Sequence, residues 1–288
     1  MDNAQGEPAP GRAADRQAPA FAAREREEIQ RRLRIRPALI YEIVSEEGEE
    51  ELARSFPALW WSGLAAGLSI GFSMVAAGVL ETGLPDTAWA QAVIAVGYTA
   101  GFLIVILGRQ QLFTENTITA LLPVMSPRTG PHFPAMLRLW GIVFAANMVG
   151  AAVFTLGIVV MDLAAPAYQE TFQNMGAHFI EMPTVTLFGR AIIGGWLVAA
   201  MVWALPSSPN ERFWIILFFT WLVGLGDFAH IVAGSVETLF AVVTGPFGAI
   251  DLVFRFMLPT LIGNIVGGSA LFALITYAQV KEEVYGKD

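Results

Sequence analysis

The sequence predicts an all-α integral membrane protein, and three observations support this prediction. The chain of 288 residues is 55% hydrophobic and only 15% charged, whereas a soluble domain usually carries about 25% charged residues. Its mean hydropathy is +0.55. Six long apolar segments follow residue 55, and two of them are interrupted by polar residues. Long apolar runs of this kind are typical of helices that cross a bilayer.

Two of the six segments are too long to be single straight helices. The second has 36 residues, which is ~54 Å of helix at about 1.5 Å per residue, whereas a bilayer core is only ~30 Å thick. It is interrupted by GRQQLFTEN, from Gly108 to Asn116. Both long segments are therefore predicted to be broken helices, which are typical of membrane transport sites. The six segments are Ala58–Leu80, Trp89–Val124, Leu139–Met161, Leu187–Leu205, Phe213–Val243 and Leu258–Val280.

The membrane domain is predicted to cover residues 56–280, between an N-terminal tail (1–55) and a short C-terminal tail (281–288). The first 23 residues are polar and rich in Pro and Ala, which is typical of disorder. The first 15 residues have no apolar core, so no cleavable signal peptide is expected. Residues 24–36 are strongly charged, and residues 37–56 are expected to form an interfacial helix. The alternative for this region is a solvated charged tail.

The distribution of basic residues predicts the orientation. Nine arginines precede the first segment, whereas the connections 81–88, 162–186 and 244–253 contain no Lys or Arg. Basic residues are enriched on the cytoplasmic side. We therefore expect a multi-pass protein of the inner (plasma) membrane with both termini in the cytoplasm.

The two halves of the chain contain an internal repeat. RLWGIVFAANMVG begins at Arg138 and RFMLPTLIGNIVG at Arg255, and each has an asparagine after nine residues and a glycine three residues later. Asn147 and Asn264 are thus related by an offset of 117 residues. Three spans in each half would give the halves opposite orientations, so the pattern predicts two inverted three-helix repeats with a site at their interface.

The same offset relates the two interruptions, because moving Phe113 by 117 residues leads to His230. The first segments of the two halves resemble each other less closely, through GFSMVAA and GGWLVAA. The two breaks are therefore expected to meet near the middle of the membrane.

Several function classes are excluded by what the sequence lacks. It has no cysteine, which excludes disulfides, thiolate zinc sites and cysteine catalysis. We find no GxSxG, Walker, HExxH or GxGxxG motif, so no enzyme, cofactor or metal site is predicted. The net charge of −8 lies in tails and loops without a basic patch, and no nucleic-acid partner is expected.

The candidate pore residues lie at or near the two breaks. His230 is the one histidine inside a predicted span, and imidazole exchanges protons near neutral pH. Its alternative role is a buried hydrogen bond to the backbone. Further polar candidates on the permeant pathway are Thr114, Glu115, Asn147, Asn264 and Arg190. The asparagines equally suit bracing of a broken backbone, and Arg190 suits either attraction of anions or a position at the membrane surface. The candidate apolar constrictions are Phe113, Phe102 and Val223.

GRQQLFTEN, the AHIVAGS around His230 and the NMVG/NIVG pair together resemble the formate/nitrite transporter family, and the first motif resembles its less characterised inner-membrane subgroup. The resemblance covers about residues 56–280. It implies an aquaporin-like subunit, a homopentamer in the lipid bilayer, and transport of small monovalent anions such as formate or nitrite, often with a proton. Carried over by position, Thr114 is the family's threonine, Phe113 its constriction, His230 its pore histidine and Asn264 its sixth-helix asparagine.

The sequence departs from the family's pattern at several of these positions. Three residues separate Gly108 from Leu112, where the family usually has two. Glu115 adds a carboxylate beside the threonine, and Gly195 stands where the family has an asparagine. The family's vestibule lysine is absent, since the first lysine is Lys281.

The mechanism that we expect is proton-linked transport of a weak acid. A bare carboxylate in an apolar pore has a high desolvation cost, and the neutral acid has a much lower one. His230, near Thr114, would give a proton to the arriving anion. The first alternative is a neutral small-solute channel, although the paired Asn-Pro-Ala motifs of aquaporins are missing. The second is a non-transporting membrane scaffold or regulator that uses the charged tail.

Overall fold

The structure, a computed structural model, describes residues 35–126 and 133–286. Within these ranges the chain forms helices and connections, and no strand. We number the helices α1 Pro37–Ala53, α2 Phe56–Gly83, α3 Ala88–Leu107, α4 Phe113–Thr119, α5 Leu121–Met125, α6 Phe133–Val160, α7 Pro166–Glu181, α8 Thr184–Ala204, α9 Arg212–Leu225, α10 Ile231–Thr244 and α11 Asp251–Val284. The residues expected to be disordered, and most of the charged run 24–36, lie outside the described residues.

The two overlong segments are broken as predicted. Among the described residues, α2, α3, α6, α8 and α11 are long and apolar enough to cross a membrane. The second segment divides into α3 and the short helices α4 and α5, and the fifth divides into α9 and α10. The last segment is continuous, although its helix contains two π-helical stretches, Asp251–Met257 and Val266–Ala273.

The two breaks have the same backbone geometry. Arg109 and Asp227 adopt φ angles of 50° and 51°, a left-handed conformation that is rare for residues other than glycine. The residue before each of them caps the preceding helix, since Gly108 N donates to Ile104 O and Gly226 N to Leu222 O, both at 3.0 Å. The inverted repeat therefore extends to the hydrogen bonds of the breaks.

The structural register of the breaks differs by one residue from the sequence repeat. Arg109 and Asp227 are related by an offset of 118 rather than 117, as are the glycines before them. Leu112, not Phe113, therefore corresponds to His230. The difference arises after the breaks, because Asn147 follows Phe113 by 34 residues whereas Asn264 follows Ile231 by 33.

Two further helices, α1 and α7, complete the fold. Helix α1 lies where an interfacial helix was expected, and it contacts the second segment through the Tyr41 hydroxyl, which donates to Leu122 O at 3.3 Å. Helix α7 lies in a region that the sequence analysis treats only as a connection. Its buried residues Phe172, Gly176, Phe179 and Ile180 follow the spacing of a helix that packs on one face. It packs against α10, where a Cβ on Gly176 would overlap the carbonyl oxygen of Glu237.

Candidate permeation site

A buried hydrogen bond joins the two breaks at the centre of the molecule. Thr114 lies in the first turn of α4 and His230 directly precedes α10. Thr114 Oγ1 lies 2.6 Å from His230 Nε2, and the two residues are 0% and 1% exposed. The structure thus brings together the two polar residues that the sequence analysis placed at the meeting of the breaks.

The hydrogen bonds of His230 define its tautomer. Nδ1 accepts a hydrogen bond from Ala233 N at 3.2 Å and so caps α10. A ring nitrogen that accepts carries no proton, and neutral imidazole has its one proton on the other nitrogen. Nε2–H therefore donates to Thr114 Oγ1, which leaves the threonine hydroxyl proton free to point elsewhere. In this arrangement His230 is neutral.

Asn147 and Asn264 brace the two breaks with three hydrogen bonds each. The Oδ1 of Asn147 accepts from Phe113 N at 2.9 Å, and its Nδ2 donates to Gly63 O and Gln111 O. The Oδ1 of Asn264 accepts in the same way from the first residue of α10, at 2.8 Å. Its Nδ2 donates to the carbonyl oxygens of residues 191 and 229. Both amide hydrogens of each asparagine are engaged with backbone, so contact with a permeant would require the release of one of these bonds.

The asparagines also define the register of the first helices of the two halves. Gly63 and Ala191 receive the equivalent hydrogen bond, at an offset of 128. A Cβ on Gly67 would overlap the carbonyl of Asn147, and one on Gly195 would overlap that of Asn264. The GFSMVAA and GGWLVAA stretches, which differ in offset, are therefore not structural equivalents. Gly195 is required by the close approach of α8 and α11, which explains the departure from asparagine at this position.

The candidate constriction residues lie in different surroundings. The ring of Phe102 packs edge-on against His230 with centroids 4.9 Å apart. Val223, which is 1% exposed, lines a cavity beyond it. Phe113 instead packs edge-on against Trp140 and Phe144 of α6. It does not line either cavity described below, whereas the preceding Leu112 does.

The first cavity opens beside α1 and has a volume of about 160 Å³. Its charged lining residues are Glu47, Glu51, Arg109, Glu115 and Arg212. Glu115 projects from the first turn of α4. Arg109 lies 3.6 Å from Glu47, so its ion pair is with α1 rather than with Glu115. We call this space the α1-side cavity.

The second cavity opens beside α7 and has a volume of about 420 Å³. Its titratable lining residues are Glu81, Tyr98, His178, Asp227 and Glu237. Asp227 is held by two partners: Arg190 donates to its carboxylate and to its carbonyl, and His178 Nε2 lies 2.7 Å from the same carboxylate oxygen. Arg190 is thus tied to the second break. We call this space the α7-side cavity.

His178 is a neutral donor in this cluster. Burial and the neighbouring Arg190 guanidinium lower the pKa of His178 below its usual value. The imidazole is therefore uncharged at neutral pH, and its Nε2–H donates to Asp227 while the arginine supplies the balancing positive charge.

Sequence reasoning gives no role to three residues of the α7-side cavity, Glu237, His178 and Tyr98. Glu237 lies within the fifth apolar segment, and His178 lies in the connection 162–186. The burial pattern of α7 was present in the sequence as apolar residues three and four apart, and would have placed His178 on a helix. Tyr98 offers no such signal, since an aromatic residue in an apolar segment is ordinary.

The hydrogen bond between the breaks leads to a first prediction. Thr114→Val keeps the side-chain volume but removes the acceptor of the buried Nε2–H. An unpaired buried donor costs about 1–3 kcal/mol, so the variant should melt at a clearly lower temperature in tryptophan-fluorescence unfolding. Thr114→Ser keeps the hydroxyl and should lie close to the wild type. Equal loss of stability in both variants would contradict the assigned bond.

Comparisons with known proteins agree with this geometry. The family model described as formate/nitrite transporter matches residues 38–278. The chain is 41% identical over 256 residues to the inner membrane protein YfdC of Escherichia coli (strain K12), which covers 89% of this chain and 83% of that protein. It is 27% identical to a probable formate transporter of Methanothermobacter thermautotrophicus, over 75% of this chain and 87% of the relative.

Solved structures show the same fold. A pentameric formate channel with formate bound superposes with a TM-score of 0.71 at 17% identity, over 78% of this chain and 97% of the channel. An FNT family ion channel superposes with a TM-score of 0.72 at 18% identity, over 83% and 98%. The aquaporin-like, all-helical subunit and the membrane location are thereby confirmed, and the members of this family are transporters and channels rather than enzymes. The chain belongs to the formate/nitrite transporter family.

Proposed function

We propose that this protein moves small monovalent anions such as formate or nitrite across the membrane together with a proton. The observation that carries the proposal is the buried hydrogen bond between Thr114 and His230, which joins the two breaks of an inverted repeat. Family membership and the likeness to a formate channel support the class of permeant. The likeness to a solved structure described as a pentameric formate channel supports a homopentamer with one pore in each subunit.

The orientation that we propose places both termini and the α1-side cavity in the cytoplasm. Arg54 and Arg138 lie together beside α1, where Arg138 Nη2 donates to Arg54 O at 2.9 Å, and Arg212 lines the α1-side cavity. Basic residues favour the cytoplasmic side. The membrane domain is then residues 56–280, with 1–55 and 281–288 as cytoplasmic tails.

The barrier is the apolar region around His230. Phe102 packs against His230 and Val223 is buried in the lining of the α7-side cavity. An anion without hydrogen-bond donors has a desolvation cost of several kcal/mol in such apolar surroundings. The neutral acid passes at a much lower cost. The pore therefore has to deliver a proton to the anion before or at this point.

The chemistry of the step follows from the ring nitrogens of His230. A proton that binds to Nδ1 displaces the Ala233 N–H and gives the imidazolium. The Nε2–H bond then breaks, the proton forms a new bond to the anion, and a neutral acid and a neutral imidazole result. The free hydroxyl proton of Thr114 can donate a hydrogen bond to the same anion. Asn147 and Asn264 hold the backbone that positions this pair.

The proposal is tested by uptake of radiolabelled formate into proteoliposomes that contain the full chain. We expect uptake well above that of protein-free vesicles, and faster uptake at pH 5.5 than at pH 7.5. Swelling of the same vesicles in glycerol serves as the comparison for a neutral-solute channel. Glycerol permeation without formate or nitrite uptake would contradict the proposal, and so would an absence of flux for every solute in monodisperse protein.

A further inference from the structure

We propose that the α7-side cavity is a binding site for the permeant anion, in which the protonated carboxyl group of Glu237 is the donor that recognises it. The inference rests on the proposed function and adds the place where the anion is first held. Neither the family pattern carried over above nor the sequence analysis assigns a role to this residue.

Glu237 is a buried carboxyl group without a partner. It is 2% exposed and lines the α7-side cavity. Within residues 35–126 and 133–286 its carboxyl oxygens take part in no hydrogen bond and no ion pair. A buried ionised carboxylate without donors is very costly, and such a group becomes neutral instead. A neutral carboxyl group carries an O–H donor, which is the group that an anion needs.

The charged groups around Glu237 also favour its protonated form. Glu81 of α2 is the other acidic residue of the cavity without an ion pair. Asp227 is balanced by Arg190, and His178 is a neutral donor to Asp227. The cavity therefore contains no unpaired positive side chain among its described lining residues. If Glu237 were ionised, the cavity would repel anions, so recognition of an anion requires the proton on this residue.

Glu237 lies on the helix that His230 caps. It follows His230 by seven residues, which is just under two helical turns, so the two residues share a face of α10 about 10 Å apart along its axis. Tyr98 of α3 lines the same cavity and its hydroxyl group has no hydrogen-bond partner within the described ranges. Both residues thus bring an O–H group to the lining of the same cavity, and two such donors suit a small planar anion such as formate or nitrite.

The backbone at Glu237 is held in place. Gly176 of α7 packs directly on the carbonyl group of Glu237. Thr155 Oγ1 donates to the preceding carbonyl, that of Val236, at 3.3 Å. The carboxyl group is thus presented to the cavity by a fixed helix rather than by a loop, as precise recognition requires.

Calorimetric titration of the purified full chain with sodium formate tests the proposal, because it measures binding without flux. Repeating the titration in buffers of different ionisation enthalpy gives the number of protons taken up with the anion. Where the Glu237 carboxyl group is already neutral in the free protein, formate should bind without proton uptake. As the pH is raised from 6.5 to 8.5 and this group begins to ionise in the free protein, we expect growing proton uptake by the wild type and a dissociation constant that rises by up to about tenfold per pH unit, the limit for one linked proton. In Glu237→Gln, whose amide is a permanent donor without charge, formate binding should persist without this uptake.

The matched control is Glu81→Gln, which makes the same change of residue at an exposed position in the same cavity. It should retain proton uptake, because Glu237 still titrates, with the onset at a somewhat lower pH because one neighbouring negative charge is removed. Glu237→Asp keeps a titrating group and should retain the proton uptake in part, which distinguishes loss of the proton from loss of the fold.

The outcomes separate the two proposals. Unchanged proton uptake in Glu237→Gln would overturn the inference. The inference would also be overturned if the wild type bound methylammonium instead of formate and Glu237→Gln lost that binding. Formate binding with Glu237-dependent proton uptake in a protein that gives no formate flux would support the binding site and contradict the transport proposal.

Discussion

Replacing Asn264 with leucine is expected to destabilise the protein by roughly 2–6 kcal/mol, since two buried backbone groups at the second break are left unpaired and each costs about 1–3 kcal/mol. The variant removes the acceptor of Ile231 N and both donors to backbone carbonyls. Ile231 N and the carbonyl oxygen of residue 229 lie where α9 and α10 separate and have no helical partner, whereas the other carbonyl, that of Ala191, lies within α8. The second break should therefore lose its geometry together with its stability.

Unfolding followed by tryptophan fluorescence measures this effect, because the chain contains eight tryptophans. Asn264→Asp retains an acceptor for Ile231 N but loses both donors, so its melting temperature should lie between those of leucine and wild type. Asn147→Leu should cause a loss of similar size through the first break. Asn210→Leu changes an exposed asparagine and serves as the control. If Asn264→Leu has the same melting temperature as Asn210→Leu, the bracing role of Asn264 is wrong.

Replacing His230 is expected to have the largest effect on transport. His230→Phe removes the cap of α10 and the bond to Thr114, and it places an aromatic ring beside Phe102, so formate uptake should fall to the level of protein-free vesicles. His230→Asn keeps groups that can donate and accept but cannot titrate. It should retain part of the uptake and lose the rise between pH 7.5 and pH 5.5.

Uptake into proteoliposomes over that pH range distinguishes these outcomes, with melting temperature measured in parallel to separate function from folding. Arg138→Gln offers a control, since it changes an exposed residue that bonds to the backbone of Arg54. An unchanged rate and an unchanged pH profile in His230→Asn would remove the histidine from the mechanism.

The sequence predicted the fold well because membrane helices are encoded by composition and length. The positions of both breaks were predictable for the same reason, since a segment of 36 residues does not fit a bilayer as one helix. The register of the repeat could not be predicted from the sequence. The asparagine repeat has an offset of 117 and the breaks have an offset of 118, because one additional residue lies between Phe113 and Asn147. The matching backbone geometry of Arg109 and Asp227 reveals this difference.

The candidate site was predicted in part. The pairing of Thr114 with His230 followed from the idea that two breaks meet. The tautomer of His230 and the engagement of the asparagine amides depend on distances of tenths of an ångström, which spacing does not encode. The role of Glu237 could not be predicted, because the sequence does not reveal whether a single carboxyl group in a long apolar segment is buried or what it contacts. The position of α7, which completes its cavity, was the missing information.

The most direct test of the central claim is the number of protons that cross with each formate ion. Proteoliposomes containing a pH-sensitive dye receive an inward formate gradient, with the membrane potential held at zero by potassium and valinomycin. The account predicts lumenal acidification of about one proton per formate above protein-free vesicles, and a rate unaffected by an imposed potential. Formate uptake that follows the imposed potential without acidification would show passage of the bare anion and would contradict the account.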